Sequence, residues 1–184
     1  MFDQLFQVKK QLMELLGGVF CQTCNYAEDR ALIFTYKECS KAKIKGVLNV
    51  TRYRYYLKNL HEARHDLEIL CYNCQRRKMN RQCKRGDSQY QKYGKPYDVK
   101  LRKKIMTLLN QYNCVNCGET DFEVLEINHI KGNGSSLTKL FKSKRKEWLH
   151  YLKNPQNVKE YLQILCKNCN KLKQFRLLEA SSTF

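Results

Sequence analysis

No stretch of the 184-residue chain approaches the ~18 uninterrupted apolar residues of a membrane span. The N-terminal residues are not expected to be a secretory leader. Asp3 falls in the first turn and Glu14 inside the apolar periodicity, so the N-terminal segment reads as an amphipathic helix. The expectation is an intracellular protein, cytoplasmic or in the nucleoid or nucleus, not secreted and with no membrane partner. There is no Gly-rich phosphate loop and no nucleophile elbow, so nucleotide-loop and serine-hydrolase chemistry find no support. Acidic residues are scarce: 17 Asp and Glu stand against 35 Lys and Arg, a formal net charge of +18. That balance points to a polyanion, nucleic acid ahead of an anionic lipid surface. The 42% hydrophobic content excludes wholesale disorder and allows a core.

Cysteine, by contrast, is abundant. Eight of the ten form four C-x-x-C pairs: Cys21/Cys24, Cys71/Cys74, Cys114/Cys117 and Cys166/Cys169. A disulfide framework needs no such regular gaps, and in a reducing compartment paired thiolates hold metal. Zinc is the default for four sulfurs in a tetrahedron. Cys39 and Cys83 remain as spare thiols.

The chain is a duplication. Shifted by 93, Leu12-Met13 falls on Ile105-Met106 and Cys21/Cys24 on Cys114/Cys117. After a two-residue insertion the shift becomes 95. Tyr56-Leu57-Lys58-Asn59 then matches Tyr151-Leu152-Lys153-Asn154, and Ile69-Leu70-Cys71 matches Ile164-Leu165-Cys166. A repeat that shares spacing, apolar pattern and metal pairs indicates two copies of one fold.

Each copy opens with an amphipathic helix (Leu5, Val8, Leu12 and Leu15; Leu101, Ile105, Leu108 and Leu109). A knuckle follows, then a short strand, Ala31–Phe34 or Val124–Ile127, then a basic middle with a helix. A second apolar stretch, Leu67–Leu70 or Leu162–Leu165, delivers the second C-x-x-C, where a basic helix starts. The expected division is 1–78 for the first copy, 79–96 for a basic linker and 97–184 for the second. Two structural zinc ions, one per copy, would staple small cores. Trp148, Tyr151 and Leu152 recur at helical spacing and read as core. His61 and His65, four apart, lack a third ligand and read as surface.

Three basic stretches ride on this scaffold. Arg76–Lys104 holds twelve Lys and Arg against two acids, with Tyr90, Tyr93 and Tyr97 available for stacking and Gly94 and Pro96 as breakers. Lys41–Lys58 has no acid, and Lys139–Lys146 contains Lys144-Arg145-Lys146. A solvated linker and an arm along a phosphate backbone are both open readings of the first. Candidate nucleic-acid contacts are Arg76, Arg77, Arg81, Lys84, Arg85, Lys131, Lys144, Arg145, Lys146, Lys171 and Lys173.

Copy two carries Leu125-Glu126-Ile127-Asn128-His129-Ile130, then Lys131-Gly132-Asn133-Gly134, and ends with Cys166-Lys167-Asn168-Cys169-Asn170-Lys171-Leu172-Lys173. Over roughly Ile105 to Phe175 it resembles the zinc-containing HNH endonucleases, whose fold is the ββα-metal motif. The resemblance implies an α+β protein of two tandem zinc-stapled, HNH- or treble-clef-like copies with flanking helices. It implies His129 as the general base that activates water. It places Asn128 and Asn170 at the positions that hold a catalytic Mg²⁺ or Mn²⁺, and Glu126, two residues before Asn128, on the same strand face. The family usually has an acid or histidine where Asn128 stands and a His or Asn where Asn170 stands; both are neutral here, so the metal site is poor in charge unless Glu126 joins it. The family's bracing asparagine has no clear counterpart; Asn133 and Asn157 are candidates. In copy one Tyr36, Thr35, Gln75 and Ile33 fall on His129, Asn128, Asn170 and Glu126, so that copy reads as a pseudo-site kept for folding or DNA contact.

The expected function is a metal-dependent DNA endonuclease, DNA favoured over RNA, cutting one strand as a monomer or both as a homodimer. Two rivals stay open: a non-catalytic zinc-dependent DNA- or RNA-binding protein, and an adaptor for an acidic protein.

Overall fold

The computed structural model describes residues 2–37, 49–82, 95–132 and 134–182. Cys39, Cys83, Lys84, Arg85, Tyr90, Tyr93, Gly94, Asn133 and the first part of Lys41–Lys58 lie outside the described residues. The chain is mixed α+β and divides into two compact units, Met1–Gln75 and Arg76–Phe184.

In the first unit, α1 (Phe2–Leu15) leads through the knuckle to β1 (Leu32–Tyr36). Helices α2 (Asn49–Lys58) and α3 (Leu60–Asp66) follow, then β2 (Leu67–Cys71) and α4 (Tyr72–Gln82), within which the division falls. The second unit repeats the order with, among the described residues, one short helix added after its first strand. It has α5 (Lys95–Leu109), β3 (Leu125–His129), the short α6 (Gly134–Leu140), α7 (Lys144–Lys153), α8 (Val158–Tyr161), β4 (Leu162–Cys166) and α9 (Lys167–Ser182).

The repeat read from sequence is reproduced pair by pair. β1 runs antiparallel to β2 with Leu32 opposite Cys71 and Tyr36 opposite Leu67. β3 and β4 align Leu125 with Cys166 and His129 with Leu162, the same register. Both first strands run further than the sequence reading gave, through Tyr36 and His129. The added residues are held because they face Leu67 and Leu162 across the ladder. Register is fixed where one face is buried, since a one-residue slip would expose that whole face.

The cores differ in size. In the second unit Leu101, Ile105, Met106 and Leu109 from α5, Leu125 and Ile127 from β3, Trp148 and Tyr151 from α7, and Ile164 and Leu165 from β4 form one continuous cluster. The first unit splits into two smaller clusters, one around Met13, Leu32, Ile69 and Leu70 and one around Leu12, Tyr56, Ala63 and Leu67. Leu15, expected on the apolar face of α1, is 42% exposed; Leu12 and Met13 carry the burial instead.

Each knuckle has the same backbone. The N–H of Cys21 donates to the carbonyl of Tyr26 and that of Asn25 to Cys21, both at 2.8 Å. In copy two the Cys114 N–H donates to Glu119 at 2.8 Å and the Gly118 N–H to Cys114 at 2.9 Å. Asn25 and Gly118 take positive φ (59° and 75°), the left-handed turn that reverses the chain after the second cysteine.

Candidate functional site

The four sulfurs of Cys21, Cys24, Cys71 and Cys74, and those of Cys114, Cys117, Cys166 and Cys169, lie within 4.8 Å of one another in each copy. Cys24 and Cys71 Sγ stand 3.8 Å apart, and Cys117 and Cys166 Sγ 3.6 Å. A tetrahedron of sulfurs around zinc at 2.3 Å has edges of about 3.8 Å, so each group could hold one zinc ion. The electrostatics agree. Burial opposes ionisation of Cys21, but backbone N–H groups, that of Cys71 foremost, bring the thiol down to about 7. Cys114 is lowered against the same burial by the backbone of Cys166, Cys117 and Asn116. Burial, and then the charge of Cys71 or Cys166, pushes Cys74 and Cys169 far up. Four thiolates cannot share such a site without a cation; a dication removes the conflict.

Three of the four candidate catalytic residues of copy two, Asn128, His129 and Asn170, meet at a cleft of about 300 Å³, and Glu126 is joined to them through Asn170. The cleft is lined by Asn128, His129, Gly134, Lys144, Asn170 and Lys173 among others. They do not act from one face. Along β3 burial alternates: Leu125, Ile127 and His129 point into the core, while Glu126 and Asn128 point to the other side. The set grouped by resemblance is thus two sets that share a strand end.

On the core side, His129 Nε2 stands 2.7 Å from Glu147 Oε1, with Glu147 wholly buried. The contact is at ion-pair distance, although its direction departs from hydrogen-bond geometry. A carboxylate can only accept, so it favours the proton on Nε2 and leaves the lone pair on Nδ1. Glu147 sits in the first turn of α7, where the helix dipole favours negative charge, and Ser143 caps that turn by accepting from the Lys146 N–H at 3.2 Å. On the other side of the ring, a Cβ added to Gly134 would lie 2.5 Å from His129 Nδ1. The missing side chain keeps that side of the imidazole uncrowded.

On the opposite face a chain of hydrogen bonds links the remaining candidates. Lys167 Nζ lies 2.5 Å from Glu126 Oε1, and Arg76 Nη2 lies 3.5 Å from it. Asn170 Nδ2 donates to Glu126 Oε2 at 2.8 Å, and Asn128 Nδ2 donates to Asn170 Oδ1 at 2.7 Å. Gln163 Nε2, at 3.2 Å, and Lys173 Nζ, at 2.7 Å, both donate to Asn128 Oδ1. Burial would raise the Glu126 carboxyl, but Lys167 and then Asn170 and Lys144 hold it below the usual range. Burial draws the Lys173 ammonium below the ordinary lysine value.

This donor set does not fit a divalent cation. Mg²⁺ is ordinarily held by one or two carboxylates together with substrate phosphates. Glu126, the carboxylate of this network, is already engaged by Lys167, and both amide oxygens are accepting hydrogen bonds. Lys144 and Lys173 add positive charge to the cleft wall.

The basic residues separate into engaged and open ones. Arg77 grips Glu119 Oε2 at 2.9 Å and Asp121 Oδ2 at 2.7 Å. Those two bonds outweigh burial and raise its pKa further. Arg145 Nε pairs with Asp98 Oδ1 at 2.8 Å, and Lys171 Nζ lies 4.9 Å from the Phe175 ring centre. Arg81, Lys131, Lys144 and Lys146 are exposed. Glu147 was missed from sequence, yet a signal exists: it precedes core Trp148 and lies four residues before core Tyr151, on the buried stripe of α7.

No protein-family model, curated protein or solved structure matches the chain. Among the described residues no helix is long and apolar enough to cross a membrane.

Proposed function

We propose that the second copy is a phosphodiester hydrolase acting on nucleic acid, DNA ahead of RNA, with an active centre of HNH type. The first copy assists folding and binding. The observation that carries the reading is the His129–Glu147 contact at 2.7 Å, opening on a lysine-lined cleft. A water beside His129 gives its proton to Nδ1 and its oxygen attacks phosphorus. The bond from phosphorus to the leaving oxygen breaks, and that oxygen takes a proton from solvent. Glu147 stabilises the imidazolium that forms, and Lys144 offers charge to the phosphate oxygens. Asn128, Asn170 and Glu126 are positioning residues here. The Mg²⁺ or Mn²⁺ implied by the resemblance has no suitable donor set in this cleft, and no step passes through it. The two zinc ions hold the fold, since a four-sulfur site leaves no open position for chemistry.

The test is plasmid nicking by zinc-loaded protein beside His129→Gln and Glu147→Gln, with zinc content checked for each. The misfit to a divalent ion favours one rival, a zinc-dependent nucleic-acid binder. That rival requires salt-sensitive binding with no strand breaks in any buffer.

A further inference from the structure

The oxygens a hard cation would seek at the end of β3 already surround a positive charge. Lys173 Nζ donates to Asn128 Oδ1 and to the Ile130 carbonyl, each at 2.7 Å, and to the His129 carbonyl at 2.5 Å. Three N–H donors meet three oxygens, so the ammonium is fully used within this nest. We infer that Lys173 is the resident cation of the cleft: it occupies the place of a divalent ion, and the site engages phosphate without one. The inference rests on the reading of the cleft as a phosphodiester site.

The surroundings of the nest support it. Asn128 is held by Gln163 and Asn170, and Asn170 by Glu126, so each amide between Glu126 and Lys173 has its partner. Glu126 in turn holds Lys167. A dication could take the Asn128 oxygen only by displacing Lys173 or Gln163 from it. It would also have to stand beside Lys144, which lines the same cleft. Phosphate meets the opposite situation, because the described lining carries Lys144 and Lys173 and no acidic side chain. Lys173 anchors the carbonyls of His129, the last residue of β3, and of Ile130 just after it. The fixed charge is therefore tied to the backbone of the base itself.

The test uses the full chain with two zinc ions confirmed, in buffer stripped of other divalents. Imidazole NMR signals of His129 are followed while inorganic phosphate, and separately Mn²⁺, is added. Phosphate is expected to shift the His129 signals with no divalent present, and Mn²⁺ to leave them unbroadened. Lys173→Ser empties the nest and should gain Mn²⁺ broadening at His129 at concentrations at least about tenfold lower than wild type tolerates, while Lys173→Arg should not. Mn²⁺ broadening of His129 in wild type, or phosphate binding only with Mn²⁺, overturns the inference. If Lys173→Ser does not fold, the wild-type titrations decide alone. Plasmid cleavage that requires Mg²⁺ overturns the resident cation and leaves the hydrolase standing. Phosphate binding with no cleavage in any buffer removes the hydrolase and leaves the resident cation.

Discussion

At the ends of their first strands the two copies put different chemistry on one scaffold. Tyr36 and His129 occupy the same register position, opposite Leu67 and Leu162. α2 and α7 run over matching residues, which sets Arg52 where Glu147 stands. Tyr36 and Arg52 line a pocket of about 120 Å³ together with Tyr53 and Tyr56. Both members of the His–Glu contact have been exchanged, and the acid has become a base. The scaffold tolerates such a change, because the four-cysteine knuckles, each able to hold zinc, and the ladder fix the strand ends independently of what stands on them. The copy with His129 and Glu147 has one continuous core; the copy with Tyr36 and Arg52 has two smaller clusters.

The largest test of this comparison is loss of metal. Structural zinc is worth about 10–16 kcal/mol in small zinc peptides, more than the whole stability of many domains. Cys71→Ser and Cys166→Ser are each expected to unfold their own unit. Calorimetry during gradual chelation should show the first unit melting before the second, since its apolar clusters are smaller. Equal sensitivity would break the link between core continuity and stability.

Catalysis should separate the copies next. His129→Ala is expected to lower cleavage about 10²–10⁴-fold, the usual weight of a general base. It also leaves Glu147 buried beside a void, so about 1–3 kcal/mol of stability should go with it in a denaturant melt. Tyr36→Phe should leave the cleavage rate within about twofold, far below any general-base effect. Carrying copy one's pair into copy two, as His129→Tyr with Glu147→Arg, sharpens the point: zinc content should persist while cleavage disappears.

Gly134→Ala is a subtler change. Its Cβ would sit 2.5 Å from His129 Nδ1, at backbone angles that an ordinary residue accepts. Overpacking of this kind costs about 1–3 kcal/mol. Cleavage should nonetheless fall at least about tenfold, because the methyl would crowd Nδ1, the atom to which the proposed mechanism brings the water. The smallest effect belongs to Arg77→Ala, which removes two partly exposed ion pairs. A loss of about 1–2 kcal/mol in the melt of the second unit is expected, with nucleic-acid affinity nearly unchanged.

Much of the scaffold was legible because it is written in spacing. Four C-x-x-C pairs, a shift of 93 and then 95, and apolar strands before each second pair reappear as two four-sulfur groups and two ladders in one register. The catalytic grouping was less legible. Period-two alternation already separates His129 from Asn128, but a motif read as a string places neighbours together. Glu147 hides in Lys144-Arg145-Lys146-Glu147, where an acid among bases looks solvated; the stripe shared with Tyr151 is what betrays it. Arg77 and Arg145 read as nucleic-acid contacts because their acidic partners lie more than forty residues away in the chain. Lys173 read as a phosphate contact, yet its three bonds go to groups on and beside β3, which no local pattern encodes.

The most direct measurement follows supercoiled plasmid through time with zinc-loaded wild type, His129→Gln and Glu147→Gln, with and without Mg²⁺. The account requires nicking by wild type and a loss of about 10²-fold or more in both variants while their zinc content and melting remain. Cleavage undiminished in His129→Gln, or tight wild-type binding with no strand break in either buffer, would contradict it.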